Sequence, residues 1–267
     1  MTCNLHILGC SGGIGADLRT TSFLLDHDVL IDAGTGVNDL SLDQLRKIDS
    51  VFLTHSHLDH ICSIPFMLDA VGATRSKPLM VYGIPETIDA LKCHIFNDII
   101  WPDFTKIPTE AQPFLKFRPI NVGETISIPT SQNQDRSIYA LPVAHSIPAI
   151  GYGIESGDSM LVFSGDTGPS EAFWLSVNQL KNLKHLLIET SFTDSEEVLA
   201  KLSGHLSPKL LASELANLIS SNAKIWVSHL KPDGGKSIVE EIAQSTMLDQ
   251  VIKKRISELS RNQTITF

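Results

Sequence analysis

Ser50-Val-Phe-Leu-Thr-His-Ser-His-Leu-Asp-His60 is the stretch that decides the reading of this chain. Ser50–Thr54 has the apolar, β-branched character of a short buried strand, and it runs directly into His55, His57, Asp59 and His60. On a turn, the imidazoles of His55 and His57 can face one side, and the Asp59 carboxylate and His60 imidazole another. That spacing suits two adjacent metal ions better than one tetrahedral site. Zinc accepts both imidazole nitrogen and carboxylate oxygen, whereas calcium and magnesium prefer shells of oxygen alone. A histidine-rich loop can also be a solvated turn, but four potential ligands within six residues favour the metal reading.

Two ions need more ligands than one loop holds, so others are sought at further strand ends. His145 follows the apolar run Ile138–Val143, Asp166 follows Met160–Gly165, and His229 follows Ile225–Ser228. Each alone reads as an ordinary hydrogen-bonding residue. Together they repeat the pattern of apolar strand, then ligand.

Around these positions the first half reads as strands Leu5–Leu8, Thr21–Leu25, Val29–Ile31 and Leu79–Tyr82. Helices are expected at Leu40–Ile48, at Ile61–Val71, and from Pro85 to about Phe96. A Pro-rich loop from Trp101 to Pro113 leads into Phe114–Pro119, Thr125–Ile128, Ser137–Val143, Ala149–Ile154 and Met160–Phe163, which read as one antiparallel sheet. Alternation then returns: a helix near Ser170–Leu180, strand His185–Ile188, a helix opened by Ser207-Pro208, strand Lys224–Val227, and helices after Gly235. No repeat or linker divides the chain. The expectation is one domain over residues 1–267, α/β (α+β) in class, with strands and helices shared between its halves.

Composition narrows the function. The 267 residues bury a core without disulfide staples, and Cys3, Cys10, Cys62 and Cys93 form no CxxC pair. Thirty acidic against 21 basic side chains give a net charge of −9, which argues against coating nucleic acid. A small anionic substrate stays compatible, because a cation in a cleft outweighs distant surface charge. The start lacks a secretory signal, and no apolar run is long enough to cross a membrane, so a cytoplasmic protein is expected.

Thr54-His-Ser-His-Leu-Asp-His60 with His145, Asp166 and His229 resembles the metallo-β-lactamase superfamily. The resemblance implies an αββα sandwich of two mixed sheets with a binuclear site at one edge. It implies that His55, His57 and His145 hold one ion, that Asp59, His60 and His229 hold the other, and that Asp166 bridges. The ions would be two divalent metals, zinc first, with manganese or iron as alternatives. Asp32 in Leu30-Ile-Asp-Ala-Gly34 would support the metal loop from behind. Ile188-Glu-Thr-Ser-Phe192, Gly204-His-Leu-Ser-Pro208 and His94-Ile-Phe-Asn-Asp-Ile-Ile-Trp-Pro-Asp-Phe104 are similar to the phosphodiesterase branch, and most of all to the class II cyclic-nucleotide phosphodiesterases. Pro65-Phe-Met-Leu-Asp69 departs from that family's pattern and is expected to alter helix packing behind the site.

The resemblance implies hydrolysis of a 3′,5′-cyclic nucleotide, AMP or GMP, to the 5′-nucleotide. The leaving 3′-oxygen calls for a general acid. His205 is the candidate, as proton donor or phosphate clamp, with Glu189 orienting its ring; Asp59 is a further catalytic candidate. A homodimer is compatible, and neither nucleic acid nor membrane is expected as a partner. His94, Phe96, Trp101 and Phe104 either line a purine pocket or form a helix end packed on the core or a subunit interface, and stay outside the site. His6, His27 and His185 read as structural or exposed.

Three other readings compete. Gly9-Cys-Ser-Gly-Gly-Ile-Gly15 looks like a dinucleotide fingerprint, but Arg19–Leu25 after it is strand-like where a helix is required, so the glycines are expected to bend a hairpin near the metal loop. A ribonuclease Z-like endonuclease maturing transfer RNA shares nearly every site residue. It needs a basic arm, and the candidate insert Pro102–Asp135 carries three cations against four carboxylates. A metal-holding scaffold that binds nucleotide or protein without turnover is the reading from outside enzymes.

Overall fold

The computed structural model describes residues 2–129, 135–219 and 222–267. Short apolar runs between turn-forming residues become strands, and two sheets lie face to face. In chain order come β1 (Asn4–Gly9), β2 (Ser22–Leu25), β3 (Val29–Ile31), α1 (Leu42–Lys47), β4 (Ser50–Phe52), α2 (Leu58–Ile61), α3 (Ser63–Val71), β5 (Leu79–Gly83) and α4 (Pro85–His94). A small hairpin of β6 (Pro108–Thr109) and β7 (Gln112–Pro113) precedes β8 (Leu115–Pro119), β9 (Thr125–Pro129), β10 (Asp135–Pro142), β11 (Ile150–Ser156) and β12 (Ser159–Phe163). The remainder is α5 (Glu171–Val177), β13 (Leu183–Glu189), α6 (Glu197–Ser203), α7 (Pro208–Leu215), β14 (Lys224–Ser228), α8 (Gly235–Gln244), α9 (Gln250–Arg255), β15 (Ile256–Glu258) and β16 (Thr264–Thr266).

The first sheet runs β16-β1-β2-β3-β4-β5-β8 and the second β15-β14-β13-β12-β11-β10-β9. Both are mixed. Pairings from β3 through β4 and β5 to β8 are parallel, as are those from β12 through β13 and β14 to β15; the rest are antiparallel. Apolar side chains of both sheets meet between them, where Phe23 packs edge-on against Phe163 at 4.9 Å and Phe52 stacks on Tyr82 at 4.3 Å. A second cluster joins the outer face of the first sheet to α1, α3 and α4, and a third joins the second sheet to α5, α7 and α8. The expected αββα layering is present.

Arg136 on β10 bridges the two sheets at one end. Its side chain is 2% exposed, and its guanidinium donates to Asp26 at 2.9 Å and twice to Asp28 at 2.9 and 2.8 Å, on the β2–β3 turn.

Four expectations need correction. Phe114–Pro119 does not join the antiparallel run: β8 pairs parallel with β5 at the edge of the first sheet. The α4 crossover returns the chain in the same direction, as parallel pairing requires. The helix after the metal loop starts earlier, at Leu58, so Asp59 and His60 lie on a helical turn. Two three-residue strands, β15 and β16, close an edge of each sheet; they are too short to show a period. The Pro-rich loop holds the β6–β7 hairpin.

Phe96 and Phe104 are buried in the outer cluster of the first sheet, and Trp101 packs on it, which settles them as core rather than purine pocket. The Pro65–Asp69 stretch lies inside α3, burying Pro65, Met67 and Leu68 and leaving Phe66 against Trp101 at 5.3 Å. Residues 130–134 of the Pro102–Asp135 insert lie outside the described residues.

Candidate metal centre

The parallel strands end at one edge of the sandwich, and the loops leaving their carboxyl ends carry the site, the usual location in α/β sheets. Asp32 follows β3, Thr54–His57 follow β4, Asp166 follows β12, Glu189 ends β13 and His229 follows β14; His145 comes from the antiparallel β10.

Asp32 is fully buried and organises the metal loop. Its Oδ1 accepts the Thr54 backbone N–H at 2.8 Å, while its Oδ2 accepts the Thr54 hydroxyl at 2.8 Å and His60 Nδ1 at 2.7 Å. With its proton given to Asp32, the Thr54 hydroxyl accepts His55 Nδ1–H at 2.9 Å. Both rings are therefore turned so that Nε2 faces the other candidate ligands, the arrangement usual behind metal-bound imidazole.

Three ring nitrogens converge on one side. His57 Nδ1 lies 3.1 Å from His55 Nε2 and 3.2 Å from His145 Nε2. His145 donates Nδ1–H to the Gly204 carbonyl at 2.9 Å. Gly204 has φ +71°, and a Cβ there would stand 2.7 Å from the Ser146 nitrogen, so only glycine brings that carbonyl to His145.

On the other side, Asp59 Oδ2 is 3.7 Å from both His60 Nε2 and His229 Nε2. His229 is aimed by Thr21, whose hydroxyl is 3.1 Å from its Nδ1. Asp166 stands between the groups, with Oδ2 at 3.2 Å from His229 Nε2, 3.4 Å from His60 Nε2 and 3.8 Å from His55 Nε2. His60 Nε2, His229 Nε2 and Asp166 Oδ1 are buried without a hydrogen-bond partner. Leaving such atoms unpaired costs about 1–3 kcal/mol each, a cost that cations between them remove. The donor set, imidazole nitrogen with carboxylate oxygen, suits divalent metal ions.

The electrostatics agree with ligand duty. Burial lowers the pKa values of His55, His57 and His145 and brings His229 down to about 3, so their lone pairs are free near neutral pH. Burial would raise the Asp166 carboxyl, but His229, His60 and His55 around it hold it well below the usual carboxylate range. His60 differs: burial works against protonating it, yet Asp166 and Asp32 push its pKa well up, so a cation would have to take the place of its Nε2 proton.

His205 and Glu189 form a separate buried pair beside the ligands. His205 Nδ1 and Glu189 Oε1 are 2.7 Å apart, and Glu189 also accepts from the Thr167 backbone N–H at 3.1 Å and the Ser191 hydroxyl at 3.0 Å. Burial opposes charge on His205, but Glu189 raises its pKa. Its ring centre lies 4.9 Å from that of His145 and 5.6 Å from that of His229. Ligand atoms of His145, Asp166 and His205 all fall within 4.8 Å of one another.

All seven residues read as metal ligands thus share one focus, with His205 and Glu189 against them. His6, His27 and His185 lie elsewhere: His6 bonds Thr264, His27 is exposed, and His185 accepts the Trp226 indole N–H at 3.1 Å. Sequence reasoning missed the supports Thr54, Thr21, Ser191 and the Gly204 carbonyl. Thr54 was visible in the opening stretch, whereas Thr21 lies 208 residues from its partner and left no signal. The glycine-rich bend lies in the connection between the antiparallel strands β1 and β2, the hairpin expected of it. It packs on the segment after His229, where the Gly12 N–H donates to the Leu230 carbonyl at 3.0 Å and a Gly12 Cβ would stand 2.5 Å from the His229 carbonyl oxygen.

Comparison with known proteins gives a consistent picture. The family model for class-II cAMP phosphodiesterases matches residues 41–261. A curated 3′,5′-cyclic-nucleotide phosphodiesterase 1 of Saccharomyces cerevisiae is 30% identical over 238 residues, covering 74% of this chain and 61% of its own length. A ribonuclease Z of Bradyrhizobium is 26% identical over 265 residues, covering 81% and 85%. The crystal structure of unliganded yeast PDE1 superposes with a TM-score of 0.78 at 22% identity over 98% of this chain and 99% of that one. The metallo-β-lactamase fold protein YhfI of Bacillus subtilis gives 0.74 at 17% over 100% and 99%. At such identities the structures speak for the fold, which is the metallo-β-lactamase fold.

Proposed function

This chain belongs to the class-II cAMP phosphodiesterase family, and from that premise we propose that it hydrolyses the phosphodiester of a 3′,5′-cyclic nucleotide to the 5′-nucleotide. The observation that carries the reading is the convergence of six candidate ligand side chains around a seventh, the Asp166 carboxylate, with a buried His–Glu pair beside them. Two divalent ions, zinc by preference, would be held by His55, His57 and His145 on one side and by Asp59, His60 and His229 on the other, with Asp166 shared. Bound there, such ions supply Lewis acidity toward phosphoryl oxygens and lower the pKa of a water toward neutrality.

The protein's own groups do the rest. Glu189 occupies the Nδ1 side of His205, so Nε2 is the nitrogen left to hand a proton to the departing 3′-oxygen or to clamp a phosphate oxygen. Asp59, whose side chain is 30% exposed, would take a proton from the attacking water. The inner core formed jointly by both sheets supports treating residues 1–267 as one domain.

Ribonuclease Z-like cleavage of transfer RNA is the second reading, favoured by the Bradyrhizobium match. Against it, the described part of the insert forms β6–β9 rather than a basic arm. No helix among the described residues is long and apolar enough to cross a membrane. The test is metal analysis together with product chromatography from cyclic AMP, cyclic GMP and precursor transfer RNA. Two metals per chain with 5′-nucleotide formed is the expected result. A fully metallated protein that leaves both cyclic nucleotides intact overturns the reading, and cleavage of the RNA in their place selects the second one.

A further inference from the structure

A cleft of about 590 Å³ opens beside the metal centre, within the size range of small-molecule sites. One wall is the segment after β10 that carries His145. The opposite wall is built from residues just beyond β5 and β8, at the carboxyl ends of the first sheet's parallel strands. Half-buried Val143 and Ile147 and exposed Pro148 give the cleft apolar surface above the inner-core residues Ile84 and Ile120, while Val122 on the rim is 52% exposed. The proposed reaction fixes the phosphate at the ligands, and the 3′,5′ ring fixes the phosphate to its ribose. The nucleoside must therefore leave the centre along a wall that a ligand shares, and this cleft has such a wall in His145. The apolar surface of Val143, Ile147 and Pro148 suits the face of a flat base.

The rim also carries a hydrogen-bonding preference. Glu86, in the first turn of α4, is exposed and makes no hydrogen bond or ion pair among the described residues. An ionised carboxylate only accepts hydrogen bonds. Guanine offers it two adjacent donors, N1–H and the 2-amino group, whereas adenine offers its 6-amino group beside the N1 acceptor, which repels it. We propose that this cleft holds the nucleoside of the cyclic nucleotide and that Glu86 makes it favour guanine over adenine. The inference rests on the function proposed above.

The test uses the metal-loaded chain and two substitutions outside the metal centre, Val122→Asp and Glu86→Gln, with methyl p-nitrophenyl phosphate as a small diester that lacks a nucleoside. Val122→Asp is expected to raise KM for both cyclic nucleotides roughly tenfold and to leave turnover of the small diester unchanged. Glu86→Gln, which replaces an acceptor by an acceptor–donor pair that matches adenine, is expected to shift the cyclic GMP to cyclic AMP ratio of kcat/KM roughly tenfold toward cyclic AMP. Unchanged KM in Val122→Asp, or an unchanged ratio in Glu86→Gln, overturns the proposal. Binding of 5′-GMP and 5′-AMP by calorimetry is read on the same three proteins. If the unsubstituted chain cleaves the small diester but neither cyclic nucleotide, the reaction assignment fails. The calorimetric contrast between variants still decides the cleft.

Discussion

The two halves of the molecule build their shares of the proposed metal centre in opposite ways. The first half delivers His55, His57, Asp59 and His60 from a single loop, and Asp32 with Thr54 braces two of those rings through one short hydrogen-bond chain. The second half delivers His145, Asp166 and His229 from three separate strand ends, and their braces come from far away. Gly204 lies 59 residues from His145, and Thr21 lies 208 residues from His229. The first arrangement is written locally; the second exists only once both sheets have stacked. Compact motifs therefore announce a site, while dispersed ligands place it in the fold.

Removing the ligand common to both halves has the largest expected effect. Asp166→Ala should lower kcat/KM on the order of a thousandfold and reduce the metal content measured by mass spectrometry, because both groups lose a carboxylate at 3.2–3.8 Å. Full metal content in that variant would separate the two halves entirely. Next, His205→Ala should cut turnover about a hundredfold or more with both metals retained. Loss of metal there would make His205 a ligand of the second half rather than a proton-handling group.

The braces test the contrast itself. Asp32→Ala should weaken metal affinity about a hundredfold, because it frees two rings, whereas Thr21→Val, which frees one, should weaken it about tenfold. Competition with a fluorescent chelator measures both, and equal losses would erase the distinction between a local and a remote brace. The smallest effect lies outside the site, at His185, whose ring is held below its usual pKa by burial and by Lys224. The unfolded chain takes up that proton below about pH 6.5 and the folded chain does not, so stability falls as pH drops from 6.5 toward 5. His185→Gln should flatten that decline in Tm by less than about 3 °C, and an unaltered slope would exclude His185 as a contributor.

Legibility followed the same division. The quoted loop disclosed its ligands because strand, turn and side-chain types coincide within eleven residues. His145, Asp166 and His229 were found only by repeating that pattern elsewhere and by family resemblance. β8 was assigned to the wrong sheet because an apolar run states that it is buried and not which strand lies beside it. The place of the glycine-rich bend against His229, the Thr21 brace and the cleft beside His145 left no trace in spacing. Each arises from contact between segments remote along the chain.

The shared bracing by Asp32 has a consequence for how the centre fills. One buried carboxylate orients His60 directly and His55 through Thr54, and these rings serve different ions in the proposed assignment. In that assignment, loading either position would tighten the common strut, and by thermodynamic reciprocity each occupant would aid the other equally. Uptake of the two metals would then be cooperative, and a sub-stoichiometric supply would yield a mixture of fully loaded and empty molecules rather than a population of half-filled ones.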